Sequence, residues 1–355
     1  MLDFLSPAGI EGLALTAWHT TLVAGLTTVV LFVYTLGLRA ATVIERRRSS
    51  DIEARWRDVL SRAAMGEPNV VPPRIRRYER TLVLELWNAF RNLVEGPAAE
   101  SLIQLAEFAG IERIATRKLD RHRLTSKLLG AQTLGFLHSN ARWGDLVKLL
   151  DDENTALSAT AAAALARIDP DKAIKPVLSR LTQRRDWPRN NLSKILALLG
   201  SERIREPFAQ VLRESDDDTQ AWLLDFAPLL APDVYDDIAT ERLRESTDPR
   251  VLAGALKLVT GRLDVPRLPW LVAHDVPFVR IQAAGALGRI GAPEHVPLLT
   301  RLLADKEWWV RYRAAQALVT LPFLGPNALR RLRDTQEDPY AGDMLAHAMA
   351  EADLA

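Results

Sequence analysis

The chain has 355 residues, with 46 basic and 45 acidic side chains and no cysteine. This near-neutral charge gives no general attraction to nucleic acid, so any such binding would have to come from a local patch. The lack of cysteine excludes disulfides, thiolate nucleophiles and zinc sites with cysteine ligands. It also fits a reducing compartment.

The first feature along the chain is a run of residues, 12–38, without a formally charged side chain. Roughly 20 apolar residues are enough to span a bilayer. A cleaved signal peptide would have basic residues before its apolar core, whereas here Asp3 and Glu11 precede the run and arginines follow it from Arg39. We therefore predict a transmembrane anchor in residues 1–40, with the N-terminus outside and the rest of the chain on the cytoplasmic side of the plasma (inner) membrane.

Residues 41–97 are predicted to form a helical, arginine-rich linker next to the membrane. A first helix is expected to end at Gly66, and a second to run from Ile75 to Glu95 after a spacer with prolines. The predicted apolar faces consist of Ile52, Trp56, Val59 and Leu60 and of Leu82, Leu86, Phe90 and Leu93. The basic charge of this linker indicates either attraction to anionic lipid or only a topology signal.

An aspartate recurs every 27 to 34 residues through the remainder of the chain, residues 98–355. The recurring residues are Asp120, Asp152, Asp186, Asp216, Asp248, Asp275, Asp305 and Asp338. Each lies between an apolar stretch and one rich in alanine, which predicts a turn between two antiparallel helices. A carboxylate there can accept hydrogen bonds from the first N–H groups of the second helix. Because helix pairs at this period bury their apolar faces only by stacking, we predict an all-α fold, an α-solenoid.

Two neighbouring repeats share the fullest pattern. It consists of Asp275, Val279, Arg280, Ala283, Ala284, Leu287 and Gly288 in one, and of Asp305, Val310, Arg311, Ala314, Ala315 and Leu318 in the next. This pattern resembles the HEAT repeats, in particular the short bacterial type related to phycobilisome-lyase-like repeats. The resemblance implies a superhelix of helix pairs, an Asp–Arg ladder between repeats, and a concave surface lined by the second helices. The repeats of Asp152 and Asp248 lack the arginine.

No group of residues predicts catalysis. The six histidines never have metal-ligand spacing, and Gly285, Gly288 and Gly291 lie in a repeat helix without the strand that a phosphate loop requires. These glycines are interpreted as close packing and a helix end. We therefore predict a protein that is not an enzyme and binds no cofactor or metal.

Tryptophan and arginine near the starts of second helices are the binding candidates, since these types are enriched at hot spots. The candidates are Trp187, Arg189, Trp222, Arg280, Trp308, Trp309, Arg311, Tyr312 and Arg313. The alternative is that the rings fill gaps between repeats.

These features together predict a membrane-anchored cytoplasmic scaffold that binds a protein partner. The partner could be a membrane enzyme such as a glycosyltransferase that makes envelope polysaccharide. Two alternatives remain. Relatives of this repeat type include bilin lyases, which implies a lyase-type enzyme. Some HEAT-like proteins are DNA glycosylases with a basic concave groove, and Arg184, Arg185 and Arg189 hint at this; we do not expect nucleic acid, because the chain is predicted to be tethered to a membrane.

Overall fold

The computed structural model describes residues 31, 32, 34, 35, 39, 49–229, 236–259 and 267–353, and none of these lies in a strand. The chain divides into two compact units, residues 1–115 and 116–355. Within the described ranges, no helix combines the length and the apolar composition that a membrane crossing needs. The predicted anchor at residues 12–38 lies almost entirely outside the described residues, and the predicted boundaries at residues 40 and 97 stay predictions.

The first unit contains a helix whose apolar face is the one predicted. Residues 49–64 are helical (α1), and Ile52, Trp56, Val59 and Leu60 are all buried. Two further helices follow, α2 (Arg80–Leu93) and α3 (Gly96–Ala109).

The second predicted helix is correct in type but wrong in its start and in its buried face. It begins at Arg80 rather than Ile75, and it buries Val83, Leu84 and Trp87, while Leu93 is 82% exposed. The physical reason is Trp87, a fully buried ring whose Nε1 donates to the Leu102 carbonyl of α3 over 3.0 Å. That contact sets the rotation of the helix.

Helices come in sequential pairs from residue 111 onward, as the aspartate spacing predicts. The first helices are α4 (Ile111–Leu119), α6 (Trp143–Leu149), α8 (Pro170–Leu181), α10 (Ser201–Glu214), α12 (Asp236–Glu245), α14 (Leu268–Val272), α16 (Val296–Leu303) and α18 (Pro326–Asp334). The second helices are α5 (Leu124–Phe136), α7 (Thr155–Ile168), α9 (Arg189–Leu199), α11 (Asp217–Leu224), α13 (Pro249–Leu258), α15 (Pro277–Ile290), α17 (Trp308–Val319) and α19 (Pro339–Glu351). All eight recurring aspartates lie one to four residues before the first residue of a second helix, which confirms their predicted position at the turns.

The second unit is an α-solenoid in which like helices stack on like helices. The second helices form one layer. In this layer α5 packs on α7, α7 on α9, α11 on α13, α13 on α15, α15 on α17, and α17 on α19. First helices pack similarly, α8 on α10 and α14 on α16, and α10 contacts both α9 and α11. The predicted all-α repeat fold is therefore confirmed for this unit.

The aspartates act at these turns largely as predicted. The carboxylates of Asp216, Asp248, Asp305 and Asp338 each accept from a backbone N–H two or three residues further on, over 2.8 to 3.0 Å. These bonds satisfy donors that the start of a helix leaves without partners. At the turn of Asp275 the Val276 N–H donates instead to Nδ1 of His274, over 3.1 Å.

Small residues bring the second helices into close contact. A Cβ built on Gly135 would lie 2.7 Å from Cα of Ala164, and one on Gly288 would lie 2.8 Å from Cβ of Ala317. Gly291 has φ +64° and ends α15 in the left-handed conformation. The interpretation of Gly288 as close packing and of Gly291 as a helix end is confirmed.

Enlarging a small buried residue in this layer should therefore destabilise the stack. Ala315 of α17 is fully buried, and Ala315→Leu is expected to lower the free energy of unfolding by about 1–3 kcal/mol, since overpacking shifts neighbouring helices. Gln316→Leu is the matched control, because the adjacent Gln316 is only half-buried. Thermal unfolding compares the two variants. Full retention of stability by Ala315→Leu would contradict the placement of α17.

Candidate protein-binding groove

Arg280, one of the binding candidates, lies inside the stack rather than on its surface. It is 5% exposed, and its Nε and Nη2 form a bidentate pair with the Asp305 carboxylate of the next repeat, both over 2.7 Å. Its Nη1 donates to the carbonyls of His274 and Asp275. Burial acts to raise the pKa of Asp305, but the hydrogen bonds from Arg280 and the Glu307 N–H, together with the charges of Arg280 and Lys306, outweigh it and hold that pKa below its usual value. Arg280 therefore joins two repeats, as the Asp–Arg ladder implied.

The repeat of Asp152, which lacks the ladder arginine, receives one from the next turn. Arg184 forms a bidentate pair with Asp186, and its Nη1 donates to the carbonyls of Leu150 and Asp152. Hydrogen bonds from Arg184 and Thr155 help lower the pKa of Asp186 to about 2. Arg184, which is not part of the repeat pattern, therefore makes the contact between repeats that the ladder arginine would otherwise make.

The repeat of Asp248 is bridged in the same way. Nη1 of Arg267, just before α14, donates to the carbonyls of Arg244 and Ser246 over 2.8 and 3.0 Å. The repeats of Asp152 and Asp248 are therefore each joined to the next repeat by an arginine of that following repeat.

Trp187, also a candidate, is packed between repeats. The ring is 3% exposed, and Nε1 donates to Oγ of Ser158, whose hydroxyl in turn donates to the Leu150 carbonyl over 2.7 Å. Its contacts are those of a residue that fills a gap between α7 and α9. Arg311 is likewise engaged within the stack, donating to the Asp305 carbonyl and lying 5.8 Å from the Tyr340 ring centroid.

Trp222 lines a cavity of about 370 Å³ on α11 and α13, here called the central groove, and Arg189 pairs with Asp225 of its lining over 3.5 Å. Trp222 meets Phe226 edge to face, and Arg189 lies over the same Phe226 ring. Carboxylates neutralise the cations of this region through the pairs Arg185–Asp218, Arg250–Asp218, Arg250–Asp248, Lys257–Asp225 and Arg189–Asp225. The arginines that hinted at a basic nucleic-acid groove are therefore matched by aspartates.

A second cavity, of about 590 Å³, lies on α15, α17 and α19 and is here called the C-terminal groove. Its floor includes Gly285 and Gly288, and polar side chains stand around it: Arg289, Arg313, Gln316, Thr320 and Glu351. The Arg313 side chain crosses α15 at Gly285, which has no side chain of its own. A Cβ at this position would lie 3.0 Å from Nε of Arg313, so the arginine would have to shift.

An exposed aromatic cluster adjoins the C-terminal groove. Trp308 and Trp309 are 45% and 64% exposed, and Tyr312 stacks on Trp308 with ring centroids 5.1 Å apart. Trp309 lies edge-on to Trp308 at 4.5 Å. The Tyr312 hydroxyl donates over 2.9 Å to Glu351, a groove-lining residue, and this bond raises the pKa of Tyr312.

One face of α17 thus unites the cluster and the groove. Trp308, Trp309, Tyr312 and Arg313 recur with Gln316 at helical spacing, on the side opposite the buried core of the helix. Among the nine binding candidates, the structure brings together Trp308, Trp309, Tyr312 and Arg313 on this face of α17. Sequence reasoning missed Arg289, Gln316 and Glu351. The signal for Arg289 was its position four residues after Gly285, which places both on one helix face.

The two arginines of the groove differ from the others in their partners. Arg289 donates to the carbonyls of Leu256 and Val259, and Arg313 contacts the amide oxygen of Gln316 over 3.3 Å. Within the described part of the chain, neither guanidinium is within ion-pair distance of a carboxylate. Burial and the cation of Arg313 lower the pKa of Arg289. Among the described residues, the two arginines of this groove therefore have no carboxylate partner, and the carboxylate of its lining, Glu351, accepts instead from the Tyr312 hydroxyl.

Comparison with known proteins finds a similarity in the C-terminal part of the chain. The family model of HEAT repeats matches residues 237–319 and 265–350. The matched region, which is similar to HEAT repeats, includes the aromatic cluster and the lining of the C-terminal groove except Glu351 and Ala352. No match was found among curated proteins.

Several solved structures are similar to the chain at low identity. Importin beta aligns with 15% identity over 78% of this chain and 46% of its own, at a TM-score of 0.42. Kap121p aligns with 14% identity over 85% of this chain and 46% of its own, at 0.38. An engineered protein aligns with 18% identity over 84% of this chain and 94% of its own, at 0.34. These alignments carry no functional conclusion.

Proposed function

We propose that the chain is a repeat scaffold that binds a protein partner at the C-terminal groove, with Trp308 and Trp309 as apolar anchors at its edge. The observation that carries this proposal is the exposed aromatic cluster on the same face of α17 as the groove residues Arg313 and Gln316. Burying a large apolar side chain contributes roughly 1.5–3 kcal/mol. Such rings clustered beside a groove are the usual composition of a hot spot.

The proposal includes a location and a class of partner. Residues 12–38 anchor the scaffold in the plasma membrane, with the N-terminus outside and the repeats on the cytoplasmic side. The support is the charge-free run followed by arginines. A scaffold held there meets membrane proteins, so the partner proposed is a membrane enzyme, such as a glycosyltransferase that makes envelope polysaccharide.

Site-specific photo-crosslinking tests the binding face. A photoreactive amino acid is placed at Trp309 or Gln316 of the full-length chain, expressed in its source cells, and crosslinks are analysed in isolated membranes. Exposed positions on first helices, Arg301 and Arg331, are the matched controls. We expect one and the same protein to be captured from Trp309 and Gln316, and its yield to be at least fivefold lower from the controls. Equal capture of the protein from the second-helix positions and from the first-helix controls, or no capture from any position, would contradict the proposal.

A further inference from the structure

We infer that the C-terminal groove recognises an acidic segment of the protein partner, with a carboxylate of that segment held by Arg313 and Arg289. The inference rests on the proposed function and adds the chemistry of the partner. It concerns an extended or helical peptide stretch whose acidic residue enters the groove while an adjacent apolar residue packs on Trp308 and Trp309.

Charge complementarity favours an acidic occupant. In the central groove every one of the lining cations Arg185, Arg250 and Lys257 is paired with an aspartate. In the C-terminal groove, Arg289 and Arg313 contact only carbonyl and amide oxygens in the part of the chain described. Arg289 and Arg313 line the same groove, and two cations in one site are stabilised by an anion between them. In the described residues, the cations of the central groove are thus paired with carboxylates, whereas the two arginines of the C-terminal groove are not.

The geometry prepares Arg289 and Arg313 for a planar carboxylate. Guanidinium groups donate bidentate hydrogen bonds to carboxylates, which are stronger than neutral hydrogen bonds. Arg289 is already held by the carbonyls of Leu256 and Val259 through Nε and Nη2, which leaves Nη1 for an anion, and the exposed Arg313 side chain lies over Gly285. Ordering Arg289 in advance lowers the entropy cost of binding. Thr320 offers a further hydroxyl at the groove wall.

A peptide carboxylate fits the surroundings better than a nucleic-acid backbone. Polyphosphate binding requires a long strip of unopposed cations. Here the C-terminal groove itself contains Glu351, and the central groove of the same unit carries Asp218 and Asp225. These carboxylates would repel a strand that runs along the second helices, whereas a single acidic side chain needs only the arginine pair.

Selection from a random dodecapeptide library tests the inference. The library, displayed on phage, is selected against the full chain in detergent, against Arg313→Glu and against Arg301→Glu, a charge reversal at an exposed site of α16. We expect wild type and Arg301→Glu to enrich Asp and Glu at least threefold over the starting library, next to an apolar residue. Arg313→Glu should lose this enrichment or enrich Lys and Arg. Three results would overturn the inference. Wild type could select neutral or basic peptides, it could enrich no peptide, or Arg313→Glu could select acidic peptides as well as wild type does.

Binding of the best selected peptide provides the second measurement. Fluorescence anisotropy is expected to show about tenfold weaker binding when its acidic residue is replaced by the amide, and a similar loss for Arg313→Gln, a variant that removes charge with little change in size. Duplex DNA is included as a competitor. Displacement of the peptide by DNA at physiological salt, with DNA binding lost in Arg313→Glu, would also overturn the inference.

The two proposals fail separately. Selective crosslinks from Trp309 and Gln316, together with peptides that are not acidic, would remove the inference and leave the proposed function standing. Absence of selective crosslinks would remove the proposed function and with it this inference.

Discussion

Arg280→Ala is expected to lower the free energy of unfolding of the C-terminal repeats by about 3–5 kcal/mol, the range for breaking a buried ion pair by removing one partner. The variant would leave the Asp305 carboxylate, itself only 10% exposed, without its bidentate partner. It would also leave the carbonyls of His274 and Asp275 without the guanidinium that they share. These losses fall at the junction of two repeats, where a stack has no other core to compensate.

Native-state hydrogen exchange is the suitable measurement, because repeat arrays open in parts and a single unfolding energy is not defined for them. Amides of α15 and α17 should exchange faster in Arg280→Ala, while those of α5 and α7 keep their rates. Arg301→Ala, at an exposed site of α16, is the control. Equal protection of α15 and α17 in both variants would show that the pair contributes little.

A double variant and pH separate the charge from the packing. The double variant Arg280→Met, Asp305→Asn should be less destabilised than the sum of the single changes, since each single change leaves an isolated buried charge and the double variant leaves none. The pKa of Asp305 is lower in the folded state, so the folded state binds fewer protons. The stability difference between wild type and the double variant should therefore be complete above about pH 4, near the unfolded pKa, and shrink as the pH falls below it.

The aspartate spacing was sufficient to predict the helix pairs because its cause is local. A carboxylate at the start of a helix satisfies nearby N–H groups, so the same residue recurs wherever a second helix begins. The Asp–Arg ladder was predictable only in the repeats with the full pattern. Arg184 and Arg267 perform the same role from the next repeat, and no short-range pattern relates them to the turns that they bridge.

The residue types of the candidate site were predictable from the sequence, but which of these residues are buried was not. Trp308 and Trp187 both follow an aspartate at the start of a second helix, yet one is 45% exposed and the other 3%. The difference is Ser158 on the preceding repeat, a small residue that leaves room for the Trp187 ring and accepts its N–H. For α2, similarly, the apolar spacing fitted two faces, and the contact between Trp87 and α3 decided between them.

Trp187→Ala is the second large effect expected, a loss of about 3–5 kcal/mol in the free energy of unfolding, since removal of a buried tryptophan leaves a cavity that the surrounding helices fill only in part. Oγ of Ser158 would lose a donor, although its own bond to the Leu150 carbonyl would remain. Trp187→Phe should recover most of the packing and lack only the indole hydrogen bond, so an intermediate loss of about 1–2 kcal/mol is expected.

Trp309→Ala is the matched control, because it removes the same side chain from a position that is 64% exposed. We expect it to change stability by less than about 1 kcal/mol, as surface substitutions do, and to abolish binding of the selected peptide. Trp187→Ala should show the opposite pattern: amides of α7 and α9 exchange faster, while the peptide still binds at the distant C-terminal groove whenever that part is folded. If Trp187→Ala kept its exchange protection and lost the peptide, Trp187 would belong to the binding surface after all, and its burial between α7 and α9 would not describe its role.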